Sequence, residues 1–337
     1  MIVTVTTARD RLPNVQRFVR GNLAGGVDHM VVVLEDPAPD VVDWLGAQPE
    51  VTAFVADATW WQGPRPERLN MRQWINANRV RNALADVVRV DWFFHLDGDE
   101  VAQIDRDVLD GVPQRHGVVR LGVLEAVSRP SWPGDPTWFK RDLTDGELAL
   151  LVQLGVLDEP RNKAYFRGHR FGKIGMRPDT AGWIGLHNAV DDDLEPLPHK
   201  RFDGLELLHY ESWSLEDFER KWSNLATAGS RPPNFQDDRG SIYEAFAQLA
   251  SMDLPAEVRE RTVRRIYERT CEDPFETLRD LGLLVEVDPA AGKHEPSPLS
   301  PAQQDQLRAA VEGPRGSWRS YPILRNLDDE ERATLGL

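Results

Sequence analysis

The sequence predicts an α/β fold in which a mixed, mostly parallel sheet is flanked by helices. Short apolar runs typical of buried strands alternate with longer segments of helical periodicity through the first hundred residues. Strands separated by helices are expected to pair in parallel through right-handed crossovers. The composition is that of a globular protein, because 41% of the 337 residues are hydrophobic and 28% are charged.

The predicted elements follow one another in a regular order. Residues 2–7 form a β-branched run and are predicted to be the first strand. A helix is predicted at 12–23, where the apolar residues recur with helical spacing, and the pair Gly25-Gly26 ends it. The next predicted elements are a strand at 29–34, a short helix at 40–47, a strand at 51–55, a long helix at 67–88, an apolar strand at 92–96 and a strand at 117–127.

The rest of the chain changes in character. Residues 128–205 are less regular and rich in Arg, Gly, Pro and Trp, and irregular segments beside a rigid sheet often carry ligand contacts. A helical pattern starts at Ser214, and residues 255–285 are helical and arginine-rich. The Pro-rich residues 288–301 are expected to form a linker or strap, and a last helix pair near 301–336 is expected to be peripheral.

The most informative motif is Asp97-Gly98-Asp99-Glu100, which follows the apolar strand directly. Acids at the end of a buried strand emerge at the carboxyl edge of the sheet, where open α/β sheets bind ligands. In a regular strand Asp97 and Asp99 would point to the same side, and two hard oxygen ligands suit Mg²⁺ or Mn²⁺ shared with a substrate phosphate. The alternative is an ordinary Asp-Gly turn with solvated acids, which the preceding apolar run disfavours.

Charge and cysteine content exclude several classes of function. The formal net charge of −15 argues against non-specific binding of nucleic acid, because the phosphates would be repelled. The only cysteine, Cys271, allows neither an intramolecular disulfide nor a cysteine-rich zinc site, and it is expected to be a small core residue. No apolar stretch is long enough to span a bilayer and no signal peptide is visible, so we expect a cytoplasmic protein.

Several segments together resemble a known family. The first strand ends in Thr6-Thr7-Ala8-Arg9-Asp10 and the second in Glu35-Asp36. The long helix contains Asn78-Arg79-Val80-Arg81-Asn82, and a His-Tyr segment, Leu208-His209-Tyr210, lies downstream. With the Asp-X-Asp motif followed by Glu, this pattern resembles family 2 glycosyltransferases of the Rossmann-like GT-A fold, in the subgroup similar to family 92. The resemblance covers residues 1–225, and residues 226–337 would then be a helical C-terminal extension.

The resemblance implies a metal-dependent enzyme of the hexosyltransferase class. It would move a sugar from a nucleotide-diphosphate sugar to a hydroxyl of a glycan, lipid-linked or small-molecule acceptor, with inversion. Mn²⁺ or Mg²⁺ would be held by Asp97 and Asp99, with His209 as a third ligand, since neutral imidazole binds Mn²⁺. A hydrogen-bonded core or surface histidine is the alternative at that position. The nucleotide would be bound by residues including Thr7, Arg9, Asp36 and Arg79.

A cluster of cations interleaved with glycines and aromatics lies at 163–177. Such a loop can close over a diphosphate and screen it from water, and Lys173 and Arg177 are its candidate ligands for the nucleotide. The alternative is a solvated basic face. His187 is expected to line the same site, although an ordinary turn histidine is an equal alternative. The cluster consists of Lys163, Arg167, His169, Arg170, Lys173 and Arg177.

The catalytic base stays open among three carboxylates. Inverting transfer needs a carboxylate that deprotonates the acceptor hydroxyl. Glu125 lies at the end of the strand after the metal motif, where it is placed for this role if the strand order is as expected. Family 2 enzymes carry a Glu-Asp pair as base, and the nearest similar pair is Asp158-Glu159, which lacks the usual context and precedes Pro160. One of Trp132, Trp138 and Trp183 could stack on a sugar.

Two other functions remain compatible with the sequence. A non-catalytic module that binds nucleotide sugars would keep the metal site without a base. A haloacid-dehalogenase-type phosphatase also uses Asp-X-Asp after an apolar strand, but that motif usually lies on the first strand. The arginines at 255–285 could meet an anionic membrane, yet interleaved glutamates make internal salt bridges the simpler explanation.

Overall fold

The computed structural model describes residues 1–227, 237–292, 294–313 and 317–337. The chain forms two compact units, each assembled from several stretches of sequence. The domain boundary expected at residue 225 stays a prediction. The first unit contains Met1–Val123, Arg170–Leu208 and Asp288–Leu337, and the second contains Leu124–His169 and His209–Val287.

Four parallel strands form the centre of the first unit. They are β1 (Ile2–Ala8), β2 (His29–Leu34), β3 (Val51–Val55) and β4 (Trp92–His95), in the order β3-β2-β1-β4. The helices that connect them are α1 (Leu12–Ala24), α2 (Pro39–Gly46), α3 (Ala58–Trp61) and α4 (Leu69–Leu84). The predicted alternation of strands and helices is therefore confirmed, with parallel pairing through helical crossovers.

Antiparallel strands extend this sheet. Strand β8 (Ile174–Met176) pairs antiparallel with β4, and the first half of β6 (Val118–Ala126) pairs antiparallel with β8. The remaining short elements of the unit are β5 (Glu100–Ile104), which pairs with β11 (Lys200–His209), the helix α5 (Arg106–Asp110), and a hairpin of β9 (Trp183–Ile184) and β10 (Ala189–Val190). The mixed, mostly parallel sheet flanked by helices matches the prediction and is consistent with a Rossmann-like GT-A fold.

The C-terminal segment belongs to the core of the first unit. It contains α12 (Pro301–Glu312), a 3₁₀ turn at Pro322–Asn326 and α13 (Asp329–Leu335). The expectation that these helices are peripheral is wrong, because a few widely spaced apolar residues are enough to bury them. Trp318 is buried and packs edge-on against Trp61, with ring centroids 5.9 Å apart. The other residues of this segment in the core include Leu307, Val311 and Leu335.

The second unit is mainly helical. The end of β6 pairs antiparallel with β7 (Trp138–Lys140), which pairs with β12 (Leu284–Glu286). Aromatic side chains fill a separate core, in which Cys271 is buried as expected. The helices are α6 (Asp145–Gln153), α7 (Asn162–Tyr165), α8 (Leu215–Thr227), α9 (Asp237–Ser251), α10 (Ala256–Thr270) and α11 (Phe275–Asp280). Among the described residues, no helix combines the length and the apolar character that crossing a bilayer requires.

Candidate functional site

The carboxyl ends of three parallel strands lie at one edge of the sheet in the first unit. Ala8 at the end of β1 is paired with Leu34 at the end of β2, and Val5 is paired with His95 at the end of β4. The residues that follow these strands therefore leave the sheet at the same edge, which is where open α/β sheets bind ligands. They are Arg9 after β1, Glu35 and Asp36 after β2, and Asp97 after β4.

The Asp-Gly-Asp segment forms the turn between β4 and β5. Strand β4 ends at His95, so Asp97 and Asp99 lie on a turn and not on a regular strand. A side chain at Gly98 would place its Cβ 3.9 Å from the Cβ of Ala8, which shows how closely this turn approaches the end of β1. The motif can therefore form a turn and still lie at the edge of the sheet where ligands bind.

The carboxylate of Asp97 is fixed by two side chains. Its Oδ1 atom accepts a hydrogen bond from Nε2 of Gln73 at 2.6 Å, and its Oδ2 atom lies 2.6 Å from Nζ of Lys173. Burial would raise the pKa of Asp97, but the Lys173 ammonium holds that pKa well below its ordinary value. The side chain of Lys173 is fully buried, whereas that of Asp97 is 25% exposed. Asp97 is therefore ionised, oriented and accessible to solvent.

Glu100 completes this charge cluster. Its Oε2 atom accepts a hydrogen bond from the backbone N–H of Asp97 at 2.8 Å and lies 3.6 Å from Nζ of Lys173. Burial disfavours the charge on Lys173, but the carboxylates of Asp97 and Glu100 raise its pKa. Two carboxylates against one ammonium leave a negative charge, to which Asp99 adds a second. Carboxylate oxygens of Asp97 and Glu100 lie within 4.8 Å of each other.

Two histidines beside this cluster are uncharged at neutral pH. The Nδ1 atom of His95 lies 3.2 Å from the carbonyl oxygen of Gly185, and Nδ1 of His187 lies 3.0 Å from that of Gly172. Because a carbonyl only accepts, each imidazole donates from Nδ1. Burial and the nearby Lys173 ammonium lower the pKa of both histidines to about 4. His187 is thus tied to the segment that carries Lys173, and its role in a binding site stays a prediction.

Ion pairs order the end of β2. The carboxylate of Asp36 lies 3.7 Å from Arg9 and 3.8 Å from Arg65, and all three side chains are exposed. Asp36 has a φ of 44°, a left-handed conformation that aspartate tolerates better than most residues. Glu35 is buried and accepts a hydrogen bond from Nη2 of Arg72 at 2.8 Å. The structure thus brings the predicted residues Arg9 and Asp36 together.

Thr7 supports this edge from inside the unit. Its Oγ1 atom accepts a hydrogen bond from Nδ2 of Asn76 at 2.9 Å, and Oδ1 of Asn76 accepts one from Nε1 of Trp60 at 2.9 Å. Thr7 is 7% exposed, so its contribution is to hold the end of β1 against α4.

Two of the predicted nucleotide ligands lie elsewhere. Since β8 runs antiparallel to β4, Lys173 comes to the carboxyl end of β4 and Arg177 to the amino end, where its guanidinium lies 4.3 Å from the ring centroid of Trp92. Arg79 is 1% exposed and donates to the carbonyl oxygens of Trp60 at 2.6 Å and Val311 at 3.0 Å. Both guanidiniums therefore have structural partners away from the carboxyl ends of the strands.

In the second unit, Glu125 is enclosed by hydrogen-bond donors. Its side chain is fully buried and lies 2.8 Å from Nζ of Lys140, which is also 3.1 Å from Asp273. It further accepts backbone N–H groups of Arg167 at 2.8 Å and Gly168 at 2.6 Å. This network holds the backbone at 167–168 and gives the buried carboxylate three hydrogen-bond donors.

His209 lies beside the same loop of the second unit. Its ring stacks on that of His169, with centroids 5.3 Å apart and planes at 24°. A Cβ atom at Gly168 would lie 2.5 Å from Cε1 of His209, so only glycine fits there without displacement. The ligand role of His209 stays a prediction.

The remaining candidates of the second unit lie at its surface. Asp158 and Glu159 are exposed in the turn after α6, and Glu159 lies 3.5 Å from Arg161. Trp132 and Trp138 both pack edge-on against Phe275. In the first unit, Trp183 stacks on Trp74 at 5.4 Å, so each of the three tryptophans has an aromatic packing partner.

Sequence reasoning missed Gln73, Arg72 and Asn76, which hold Asp97, Glu35 and Thr7. These three residues lie on α4, whose buried face is therefore partly polar. Polar residues such as Gln73 and Asn76, spaced three apart among buried apolar ones, are the signal that could have identified them.

No family model and no curated protein sequence matches the chain. Solved structures with some likeness include HddC from Yersinia pseudotuberculosis, at 10% identity and a TM-score of 0.32, covering 65% of this chain and 96% of that one. A Bacillus anthracis protein provisionally assigned as a glucose-1-phosphate thymidylyltransferase, solved with sucrose, has 11% identity and a TM-score of 0.28 and covers 53% and 72%. The bifunctional glycosyltransferase WbbM has 16% identity and a TM-score of 0.26 and covers 53% and 31%. Because all these TM-scores are below 0.5, the likenesses carry no argument about this chain.

Proposed function

We propose that this protein is a metal-dependent glycosyltransferase that moves a sugar from a nucleotide-diphosphate sugar to a hydroxyl acceptor with inversion. The observation that carries the proposal is the position of Asp97. This ionised carboxylate is held by Gln73 and Lys173 at the carboxyl edge of the parallel strands, beside Asp99. Arg9 and Asp36 leave neighbouring strands at the same edge. Such an edge is the common binding place for nucleotides in α/β folds.

A divalent cation fits the donor set at this turn. The charges of Asp97, Asp99, Glu100 and Lys173 sum to about −2, which a divalent ion would balance. A carboxylate has about four lone-pair positions, and the hydrogen bonds from Gln73 and Lys173 occupy one on each oxygen of Asp97. Asp97 and Asp99 would hold the ion, and hard oxygen ligands of this kind select Mg²⁺ or Mn²⁺. When bound, the ion would neutralise charge that develops on the leaving diphosphate.

The chain's own residues would share the binding of the donor. The guanidinium of Arg9 is 71% exposed and can pair with a phosphate oxygen, for which it would exchange its long contact with Asp36. The exposed carboxylate of Asp36 can accept hydrogen bonds from ribose hydroxyls or from a base N–H. Lys173 and Gln73 would act indirectly, because they orient Asp97 without being exposed themselves.

A binding module without transferase activity is the second candidate function. The observation that favours it is the environment of Glu125, whose buried carboxylate is already bound by Lys140 and two backbone N–H groups. A carboxylate that is fully buried and enclosed in this way is not open to the acceptor hydroxyl that a catalytic base must contact. The other proposed bases, Asp158 and Glu159, lie on an exposed turn.

Hydrolysis and binding measurements separate the two functions. Purified protein with Mn²⁺ and a panel of UDP- and GDP-sugars should slowly release nucleotide diphosphate, and Asp99→Asn should abolish the release. Asp43→Asn, at an exposed position on α2, is the matched control and should retain it. Calorimetric binding of a nucleotide sugar without any release would favour the module. If the protein neither binds nor hydrolyses any nucleotide sugar of the panel, both candidate functions are refuted.

A further inference from the structure

Phe171 presents a large apolar surface to solvent. Its side chain is 62% exposed, more than any other large hydrophobic residue in the described part of the chain. It lies in the first unit, two residues before Lys173, whose ammonium bonds to Asp97. The exposed ring is therefore on the segment that delivers Lys173 to the candidate site.

The backbone that carries this ring is fixed. Gly172 has a φ of +65°, and a Cβ atom there would lie 2.1 Å from the carbonyl oxygen of Leu121. The carbonyl oxygen of Phe171 accepts a hydrogen bond from Arg120, and that of Gly172 accepts one from His187 at 3.0 Å. Since both carbonyls are held, the ring stands on a rigid support and is not the tip of a free loop.

Polar groups lie near the ring, and the Arg120 guanidinium, which donates to the carbonyl oxygen of Phe171, joins two of them. The imidazole of His187 lies against it, with ring centroids 5.7 Å apart and planes at 43°. Asn188, which is exposed, accepts a hydrogen bond from Nη2 of Arg120 at 2.7 Å. An aromatic ring beside an uncharged imidazole, with an exposed amide held on the same guanidinium as its backbone, offers apolar contact together with hydrogen bonding to neutral groups.

We propose that Phe171, His187 and Asn188 form a saccharide-binding subsite, which receives the sugar acceptor of the transfer reaction. A pyranose ring has an apolar C–H face that packs on an aromatic ring and a border of hydroxyls that bond to amides and imidazoles. The subsite rests on the proposed function for its role, because only a transferase needs an acceptor next to Asp97. The acceptor would then be a carbohydrate rather than any compound that carries a hydroxyl.

Saccharide binding by the 337-residue chain tests the subsite. The probes are methyl glycosides of glucose, galactose, mannose and N-acetylglucosamine, measured by saturation-transfer NMR and titration. At least one should bind, and Phe171→Ala should weaken it about three- to tenfold, the usual effect of losing one aromatic contact. Phe171→Tyr should retain binding. Leu154→Ala, which removes another exposed apolar side chain, is the matched control and should change nothing.

A parallel titration with UDP or GDP and Mn²⁺ keeps the two proposals apart. If Phe171→Ala weakens glycoside binding and leaves nucleotide binding unchanged, the result supports the subsite. Nucleotide binding weakened by Phe171→Ala would show that the ring stacks on a nucleobase and would overturn the subsite. No glycoside binding by the wild-type chain would also overturn it, while nucleotide binding in the same samples would leave the proposed function intact. Absence of nucleotide binding would count against the proposed function.

Discussion

Nζ of the fully buried Lys173 lies 2.6 Å from Oδ2 of Asp97, and the same ammonium lies 3.6 Å from Glu100. One buried cation is thus the counter-ion of two carboxylates beyond the carboxyl end of β4. Removing it would take this counter-charge away from both anions in a region of low dielectric constant. Lys173 therefore offsets one of the three negative charges of Asp97, Asp99 and Glu100, and the rest is left for the proposed metal ion.

Lys173→Met should lower the free energy of unfolding by about 3–5 kcal/mol, the typical cost of breaking a buried ion pair. Urea denaturation followed by circular dichroism measures the change. Adding Glu100→Gln should restore part of the loss, because it removes one of the uncompensated charges. Lys163→Met, at an exposed position, is the control. Equal stability of Lys173→Met and the wild type would contradict the buried pair.

Two arginines that the sequence assigns to the nucleotide should behave differently. Arg9→Ala should weaken binding of UDP or GDP roughly tenfold, which corresponds to about 1.4 kcal/mol, with little effect on stability. Arg79→Met should leave binding unchanged but destabilise the fold by about 1–3 kcal/mol, because it leaves two buried carbonyl oxygens without their donor. For both variants, isothermal titration calorimetry measures nucleotide binding and urea denaturation measures the free energy of unfolding. If Arg79→Met instead weakened nucleotide binding and left stability unchanged, Arg79 would belong to the site.

The parallel part of the fold could be predicted because its signals are local. Runs such as residues 29–34 are apolar throughout, and helices between strands imply parallel pairing. The antiparallel insertion of β8 could not be predicted, since it depends on the return of a distant segment to β4. That insertion decides the site, because it brings Lys173 to Asp97 and carries Arg177 to the opposite end of the strand.

The buried polar contacts of the site also could not be predicted from the sequence. The sequence shows Asp97 and Glu35 as acids at strand ends, but it does not show which cations and amides hold them. Gln73 and Arg72 reach them from α4 only after the helix packs on the sheet. Pairing of this kind depends on long-range geometry, whereas apolar periodicity is visible within each element.

Gly168→Ala should disturb His209. The added Cβ would lie 2.5 Å from the imidazole, so either the ring or the backbone held by Glu125 must move. We expect a loss of about 1–3 kcal/mol in unfolding free energy, as for other overpacked sites. Chemical shifts of the histidine ring protons should report the displacement. Gly146→Ala, in α6 with open space around its Cα, is the matched control and should be neutral or stabilising.

Stability should fall below pH 6.5 because of two buried histidines. His29 and His95 are almost completely buried, and burial lowers the pKa of each to about 4, whereas both have their ordinary pKa of 6.5 in the unfolded chain. Between these values the unfolded state binds protons that the folded state does not, so acidification favours unfolding. Each histidine contributes up to about 1.4 kcal/mol per pH unit, and the pair about 3 kcal/mol per pH unit. His187, whose pKa burial also lowers to about 4, adds to the same slope.

Urea denaturation between pH 6.5 and 5 isolates this effect, because few carboxylates with ordinary pKa values titrate there. His29→Gln keeps a side chain that can bond to Thr52, the partner of the imidazole at 2.9 Å, and it should reduce the slope by about half of the pair's contribution. His116→Gln, in which no buried imidazole is removed, should leave the slope unchanged. A stability that stays flat over this pH range would mean that water reaches both rings, because only rings held neutral by burial resist protonation at pH 5.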